Sequence, residues 1–258
     1  MRRVIGPLVR VALMNAMQYR ASFLVELLVG AAGSVGIVLP LVFVYEQASD
    51  VAGWSFHEAL LVTAFFLVLQ GLVAGLVEPN LGAVVDGVRT GQLDFLLLKP
   101  ADAQLLASIQ RASPAHVWDV LAGLGVGAWA LSALPTPTLA QSGTSIVLLI
   151  AGLCAMYGLW VLVVCTSFWF VRVNNLRYLL GAVLDAGRWP VSVYRGWVRT
   201  FLTVVIPVAV VTSYPALALL GRMDARLALE AVAVAVGMLG VSRLAWRRAL
   251  RFYTSASS

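Results

Sequence analysis

Long apolar segments, separated by short polar stretches, run through the whole sequence and leave few folds open to it. Charged residues make up 12% of the chain, whereas they make up about 25% of an ordinary soluble domain. No polar stretch is long enough to build a separate hydrophobic core. A helix needs about 20 apolar residues to cross a bilayer, and six segments of the chain approach that length. We therefore expect an all-α membrane protein, a single domain over residues 1–258, with six transmembrane helices at about 22–45, 59–77, 115–134, 145–170, 198–220 and 228–245.

The first 20 residues differ from these spans because basic residues interrupt their apolar pattern. Arg3 and Arg10 point away from a common apolar face, if the segment is helical. The residues that share this face are Ile5, Leu8, Val9, Ala12 and Ala16. Such an amphipathic pattern is typical of a helix that lies in the membrane interface. We predict an N-terminal interfacial helix at about 1–20.

The fifth predicted span, at about 198–220, differs from the others in containing two prolines. Proline lacks the backbone N–H that a helix interior needs, so it kinks or ends a helix. We expect Pro207 and Pro215 to divide this segment into a shorter helix and a re-entrant or surface piece.

The basic residues are distributed unevenly between the two sets of loops. With six spans and both termini on one side, that side carries sixteen of the 18 Lys and Arg residues. Five of the sixteen lie in the segment 171–199, and the other side holds only Arg222 and Arg226. Because basic loops stay inside the cell, both termini and the basic loops are expected in the cytoplasm. This orientation accounts for the net charge of +6, so the charge does not indicate a nucleic-acid partner.

A short stretch between the second and third spans is too apolar for an idle loop and too short to cross a bilayer. It reads Gly91-Gln-Leu-Asp-Phe-Leu-Leu-Leu-Lys-Pro100. Its apolar residues at helical spacing are Leu93, Leu96 and Leu97, with Phe95 and Leu98 beside them. Pro100 would end such a helix. The pattern predicts a small helix at the membrane face that offers side chains to a partner; a buried strand or a lipid-surface helix without a partner are the alternatives.

The same stretch resembles the coupling helix of type 2 ABC transporter permeases, in which an Arg-x-Gly-x-Leu-(Asp/Glu)-x-Leu-Leu-x-x-Pro run follows the second membrane helix. The runs 190–194 and 205–216 and the ending 246–258 are also similar to the bacterial exporter branch of that superfamily. The resemblance covers essentially the full length of the chain. It implies a multi-pass protein of the bacterial cytoplasmic (inner) membrane, with both termini in the cytoplasm.

The resemblance also implies a function and partners. The chain would be the transmembrane subunit of an ATP-driven exporter and would form half of the translocation pathway. Its partners would be two copies of a cytoplasmic ABC ATPase subunit and a second permease, identical or related, in the surrounding membrane lipid. The helix at about 91–100 would sit in a cleft of the ATPase, with Phe95 as an apolar anchor and Asp94 facing a basic group. The expected coupling residues are Gly91, Leu93, Asp94, Phe95, Leu96, Leu97, Lys99 and Pro100.

The sequence lacks the motifs that carry catalysis. The phosphate-binding pattern G-x-x-x-x-G-K-[ST] is absent, and the only lysine, Lys99, lies between Leu98 and Pro100. H-E-x-x-H, C-x-x-C and G-x-S-x-G are absent too. We therefore expect no catalytic residue, cofactor or metal in this chain and ATP hydrolysis on a partner subunit. His116 and Asp119 are three residues apart, a spacing that allows a hydrogen bond or a bound cation.

Two other classes of protein stay open at this level. An ion-driven secondary carrier would work without an ATPase, but such carriers usually have ionisable groups along their path, and the spans carry few charges near their centres. A non-transporting scaffold would use its cytoplasmic helices only to dock a partner. The sequence names no substrate, and it does not distinguish an identical second permease from a related one.

Overall fold

A computed structural model describes residues 20–169 and 180–253 of the chain. These residues are almost entirely helical; they contain no strand, and their single β-bridge joins Val51 to Trp54. The expected all-α class is thereby confirmed. In chain order the helices are α1 (Arg20–Gln47), α2 (Phe56–Thr90), α3 (Leu93–Leu97), α4 (Ala103–Ala107), α5 (Val117–Ser132), α6 (Leu139–Cys165), α7 (180–184), α8 (Gly196–Thr200), α9 (Val208–Val211), α10 (Ser213–Leu219) and α11 (Ala225–Phe252).

Four of these helices, α1, α2, α6 and α11, are long and apolar enough to cross a membrane. A fifth candidate is the pair Gly196–Val205 and Val208–Leu219, which is bent by 68°. The third predicted span is α5, whose 16 residues fall short of the roughly 20 that a crossing needs. Within the described ranges the structure thus supports four or five apolar spans, and the count of six stays a prediction. The predicted interfacial helix at about 1–20 lies outside the described residues, apart from Arg20.

The second predicted span ends at 77, but the helix that contains it, α2, continues to Thr90. Pro79 has no N–H, so it leaves the carbonyl of Gly75, four residues earlier, without its helical donor. The Ser113 N–H donates to this carbonyl instead, at 2.8 Å. A π-helical turn at Val73–Val77 takes up the local change in pitch. A loop from elsewhere in the chain therefore keeps the helix intact through its proline.

Asn80, about one turn further along α2, also forms hydrogen bonds to the loop before α5. Its amide nitrogen donates to the carbonyl of Arg111 at 2.6 Å, and its amide oxygen accepts the N–H of Arg111 at 2.7 Å. Asn80 itself is 2% exposed. This pair of bonds satisfies a buried polar side chain and holds the stretch before α5 against the middle of α2.

Hydrogen bonds place the segment before α8 beside the loop between α1 and α2. The indole N–H of Trp54 donates to the hydroxyl of Ser192 at 2.8 Å. Arg222, which follows α10, reaches the same place and pairs with Glu58 at 2.5 Å. We call this end of the bundle the Trp54 end and the opposite one the α3 end. The chain is therefore at the Trp54 end both before α8 and after α10.

The segment from α8 to α10 is consequently a re-entrant hairpin, because it starts and finishes at the Trp54 end. Its bend follows Ile206, and Pro207 begins the returning arm, which confirms the expected break at Pro207, whereas Pro215 lies inside α10. These contacts favour the re-entrant piece that the two prolines predicted over a single crossing at about 198–220. At the α3 end the ring of Trp169 packs on Phe252, with centroids 5.7 Å apart. Trp169 and Ser192 therefore lie at opposite ends of the bundle.

The same contacts revise the distribution of basic residues. The carbonyl of Arg188 accepts a hydrogen bond from Thr63, two turns into α2, and Arg195 and Arg199 flank the start of the hairpin. These three arginines belong to the Trp54 end, so the predicted split of sixteen to two becomes thirteen to five. The error came from treating the whole of 171–199 as one loop. The larger share of the basic residues still falls, by sequence position, on the side of the α3 end.

Glycines bring the two main helix pairs into backbone contact. A Cβ atom on Gly123 of α5 would lie 2.8 Å from the carbonyl oxygen of Ala64 in α2. One on Gly158 of α6 would lie 2.9 Å from the carbonyl oxygen of Met238 in α11. Small residues allow this close approach, which favours helix association within a membrane. The bundle is built on the pairs α2–α5 and α6–α11.

Cysteine labelling tests the placement of the hairpin. In a background lacking Cys154 and Cys165, single cysteines replacing Ser49 and Arg195 should react with an impermeant thiol reagent from the same side of the membrane. A cysteine replacing Thr90, at the end of α2, should react only from the other side. Reaction of the Arg195 variant from the Thr90 side would return this segment to the end first predicted for it.

Candidate functional site

α3 joins α2 through a tight turn at Gly91. This glycine ends α2 with φ of +75°, a left-handed conformation that costs glycine little because it has no Cβ. The N–H of Asp94 then donates to the Gly91 carbonyl at 3.3 Å. α3 comprises only Leu93–Leu97, so it is shorter than the helix predicted over 91–100. α3 ends before Pro100, as expected because proline ends helices.

Two leucines hold α3 against the bundle. Leu93 is 3% exposed and Leu96 is 7% exposed, and both belong to the large core that α2, α6 and α11 share. α2 comes close at this point, since a Cβ on Gly87 would lie 3.4 Å from the Leu93 nitrogen. The leucines thus fix the orientation of α3 relative to α2.

The other apolar side chains of this segment point away from the bundle. Phe95 is 72% exposed, Leu98 is 80% exposed and Leu97 is 37% exposed. We call these three residues the α3 face; Lys99 and Pro100 beside it are exposed as well. The sequence predicted one apolar face, but the structure divides the apolar residues between the core and the surface. The helical backbone excludes the alternative of a buried strand.

Asp94 lies on the bundle side of α3 and interacts with this chain's own last helix. The hydroxyl of Tyr253, directly after α11, is buried. Burial and, after it, the neighbouring Asp94 carboxylate raise the pKa of Tyr253. Asp94 therefore helps to seat α3 on the end of α11. The prediction that it faces a basic group on a partner stays a prediction.

A bidentate ion pair clamps the segment after α3 to α11. Nη1 of Arg243 donates to Oδ1 of Asp102 at 2.9 Å, and Nη2 donates to Oδ2. The same Nη1 donates to the side-chain oxygen of Gln104 at 3.0 Å. Asp102 also caps α4 by accepting the N–H of Leu105 at 3.0 Å. Paired arginine–carboxylate bonds of this geometry are among the stronger polar contacts in proteins.

α4 is bonded to α6 as well. The hydroxyl groups of Ser108 and Tyr157 are 2.6 Å apart, and the amide of Gln104 donates to the Tyr157 hydroxyl at 3.4 Å. Sequence reasoning missed all of these partners. Asp102 before a short apolar run carries an N-cap signal, but nothing in the sequence pairs it with Arg243, 141 residues away.

The predicted hydrogen bond between His116 and Asp119 is confirmed, with 3.0 Å between Nδ1 and Oδ2. Asp119 is 7% exposed, and a Cβ on Gly30 of α1 would lie 3.6 Å from its Oδ1. The pair thus stands at the start of α5, against α1. No group of three or more potential metal ligands occurs in the described ranges.

A cavity of about 760 Å³ opens between α2, α6 and α7. The π turn of α2 contributes Val73 and Ala74 to its wall, so the cavity borders the distorted part of the helix that leads to α3. Its polar side chains are Gln70, Glu78 and Asp185. The apolar part of the wall includes Phe66, Leu69, Trp160 and Leu184.

Comparison with known proteins identifies the family of this chain. The family model described as ABC-2 family transporter protein matches residues 33–257, which covers nearly the whole chain. The chain belongs to the ABC-2 transporter family. The match confirms the resemblance to type 2 ABC permeases and supports a multi-pass membrane protein. No curated protein and no solved structure matches this ABC-2 family chain.

Truncation within α3 tests the division between core and surface residues. Leu96→Ala should destabilise the protein by about 2–5 kcal/mol, the usual range for a buried leucine, because it leaves a cavity between α3 and α2. Phe95→Ala, at an exposed site, should change the stability by less than about 0.5 kcal/mol. Thermal unfolding in one detergent measures both. Equal losses of stability for the two variants would contradict the division.

The pH dependence of stability tests the clamp. The Arg243 guanidinium, and then the Leu105 N–H, hold the pKa of Asp102 below its usual range. Because the folded pKa is depressed, the clamp stabilises fully above the unfolded pKa of about 4 and is lost as the pH falls through the folded value. The deficit in Tm of Arg243→Ala should therefore be constant near neutral pH and shrink in acid. A deficit that stays constant in acid would exclude an ionic contribution.

Proposed function

We propose that this ABC-2 family protein is the transmembrane subunit of an ATP-driven exporter and that its α3 face docks on a separate cytoplasmic ATPase subunit. The observation that carries the proposal is the exposure of Phe95, Leu97 and Leu98 on a helix that Leu93 and Leu96 hold in place. Large apolar side chains at the centre of a patch commonly dominate binding energy. A helix already fixed in orientation loses little further freedom on docking.

The length of α2 argues against lipid as the partner of this face. α2 has 35 residues, which at about 1.5 Å each make it about 52 Å long. A bilayer with its headgroups is about 40–45 Å thick, and an average tilt of about 20° shortens the span of α2 only to about 49 Å. With the Trp54 end at one surface, α3 projects beyond the other surface into water. An apolar patch in that position favours a protein partner.

The remaining parts of the proposal follow from the family and the charge distribution. The α3 end faces the cytoplasm, since thirteen of the 18 Lys and Arg residues fall on its side. The chain crosses the bacterial inner membrane six times; α1, α2, α5, α6 and α11 are five of these crossings, and Trp169 and Ser192 lie on opposite sides of the membrane. Two such permeases, identical or related, combine with two ATPase subunits. The cavity beside the π turn is this chain's share of the translocation pathway.

ATP hydrolysis belongs to the partner in this proposal, because the chain has no phosphate-binding loop. The continuous path from α3 through Gly91 and α2 to the cavity gives the ATPase a mechanical connection to the pathway. A secondary carrier needs no exposed apolar helix beyond the membrane. A scaffold would use the α3 face but would show no ATP-dependent change in the bundle.

Truncation of the α3 face tests the docking. The double variant Phe95→Ala, Leu98→Ala should remain folded and reduce affinity for the ATPase roughly thirtyfold, which corresponds to a loss of about 2 kcal/mol. Leu105→Ala is a matched control because Leu105 is an exposed leucine (44%) on the neighbouring helix α4. Co-purification from membranes expressing the ATPase measures the effect.

The same preparations provide the second readout. The isolated permease should show no ATP hydrolysis, whereas the wild-type complex should hydrolyse ATP. Wild-type yields of the ATPase with the double variant would remove the docking role from α3. Turnover by the isolated permease would contradict the assignment of hydrolysis to a partner.

A further inference from the structure

Arg243 of α11 and Tyr253, directly after α11, contact the segment that follows α2. Arg243 binds Asp102 and Gln104, and Tyr253 lies beside Asp94. Arg243 and Tyr253 are ten positions apart, which corresponds to about 15 Å along a helix. Their side chains therefore attach the α3–α4 segment to the last third of α11.

α11 is less tightly held by the bundle than α2. Only 17% of its most apolar window is buried, compared with 61% for α2. Its contacts with α6 include small residues such as Ala235, and Gly158 of α6 approaches the backbone of Met238, whereas Trp246 near its end is buried in the core. Large side chains on its other side, such as Leu229 and Val236, are exposed. Packed helices can slide by small amounts along one another.

The ion pair is suited to carry movement between these parts. Among the described residues only two salt bridges join distant parts of the chain: Glu58–Arg222 at the Trp54 end and Asp102–Arg243 at the α3 end. The others join residues three or four positions apart within one segment. A bidentate pair fixes both distance and orientation. A displacement of α3 and α4 must therefore move α11 or break this pair.

We infer that the Asp102–Arg243 pair is the positioning contact through which movement of α3 and α4 is transmitted to α11. The inference rests on the proposed docking of α3 on an ATPase, and it names α11, besides α2, as a helix that responds. Neither residue touches ATP or the transported molecule; both act through the position of α11.

The test follows α11 in the assembled complex. A single cysteine replaces the exposed Val236, in a background lacking Cys154 and Cys165, and carries an environment-sensitive fluorophore. The permease–ATPase complex in lipid nanodiscs is then compared without nucleotide and with ATP and vanadate. The wild-type emission should shift on trapping. Arg243→Ala should abolish the shift while the complex stays assembled and hydrolyses ATP.

Matched variants separate the ion pair from a general loss of stability. Asp102→Asn keeps an acceptor at the cap of α4 but removes the charge, and it should also abolish the shift. Exchange of the two charges, Asp102→Arg with Arg243→Asp, should restore it. Arg226→Ala removes an exposed ion pair with Glu230 inside α11, which links no other segment, and it should leave the shift unchanged.

The outcomes distinguish this inference from the proposed function. If the wild-type permease binds no ATPase, the proposed function fails and the inference fails with it. If the complex assembles and Arg243→Ala shifts as the wild type does, only the inference fails. If the folded charge exchange does not restore the shift, or if Arg243→Ala releases the ATPase, the pair shapes the α3 region without transmitting its movement, which also overturns the inference.

Discussion

The structure depends on α2 remaining one helix from the Trp54 end to Gly91. Pro79 threatens that continuity because it leaves the Gly75 carbonyl without a donor, and an unpaired carbonyl inside a membrane protein costs several kcal/mol. The Ser113 N–H donates to the Gly75 carbonyl at 2.8 Å and so removes this cost. The bond also draws the start of α5 onto α2. One backbone hydrogen bond thus supports the continuity of α2 as far as Gly91 and the packing of the α2–α5 pair.

At the α3 end, the buried and the exposed apolar side chains lie on different sides of α3. Leu93 and Leu96 commit one side of α3 to the core, so Phe95 and Leu98 are presented to solvent in a fixed orientation. The Asp102 clamp continues the attachment to α11, and Tyr157 continues it to α6. The α3 face is consequently a rigid projection connected to three long helices. Such a projection can transmit force, whereas a flexible loop of the same composition cannot.

The sequence predicted those features that local pattern determines. Apolar length predicted α1, α2, α6 and α11, Pro207 predicted a break, and the spacing from Leu93 predicted a short helix near its observed place. It failed where distant parts of the chain decide the outcome. The predicted second span ends at 77, whereas α2 continues through Pro79 because Ser113, 34 residues away, supplies the compensating donor. Pro207 and Pro215 predicted a re-entrant or surface piece in the fifth segment, but only the Trp54–Ser192 contact shows that both ends of the hairpin lie together.

Site-specific crosslinking in native membranes tests most directly whether the α3 face binds an ATPase. A photoreactive amino acid in place of Leu98 should yield a crosslinked product whose second component, identified by mass spectrometry, carries a phosphate-binding loop. The same group in place of Leu139, an exposed residue at the Trp54 end (93%), should yield no such product. A Leu98 crosslink to lipid alone, or to this chain's own helices alone, would contradict the account.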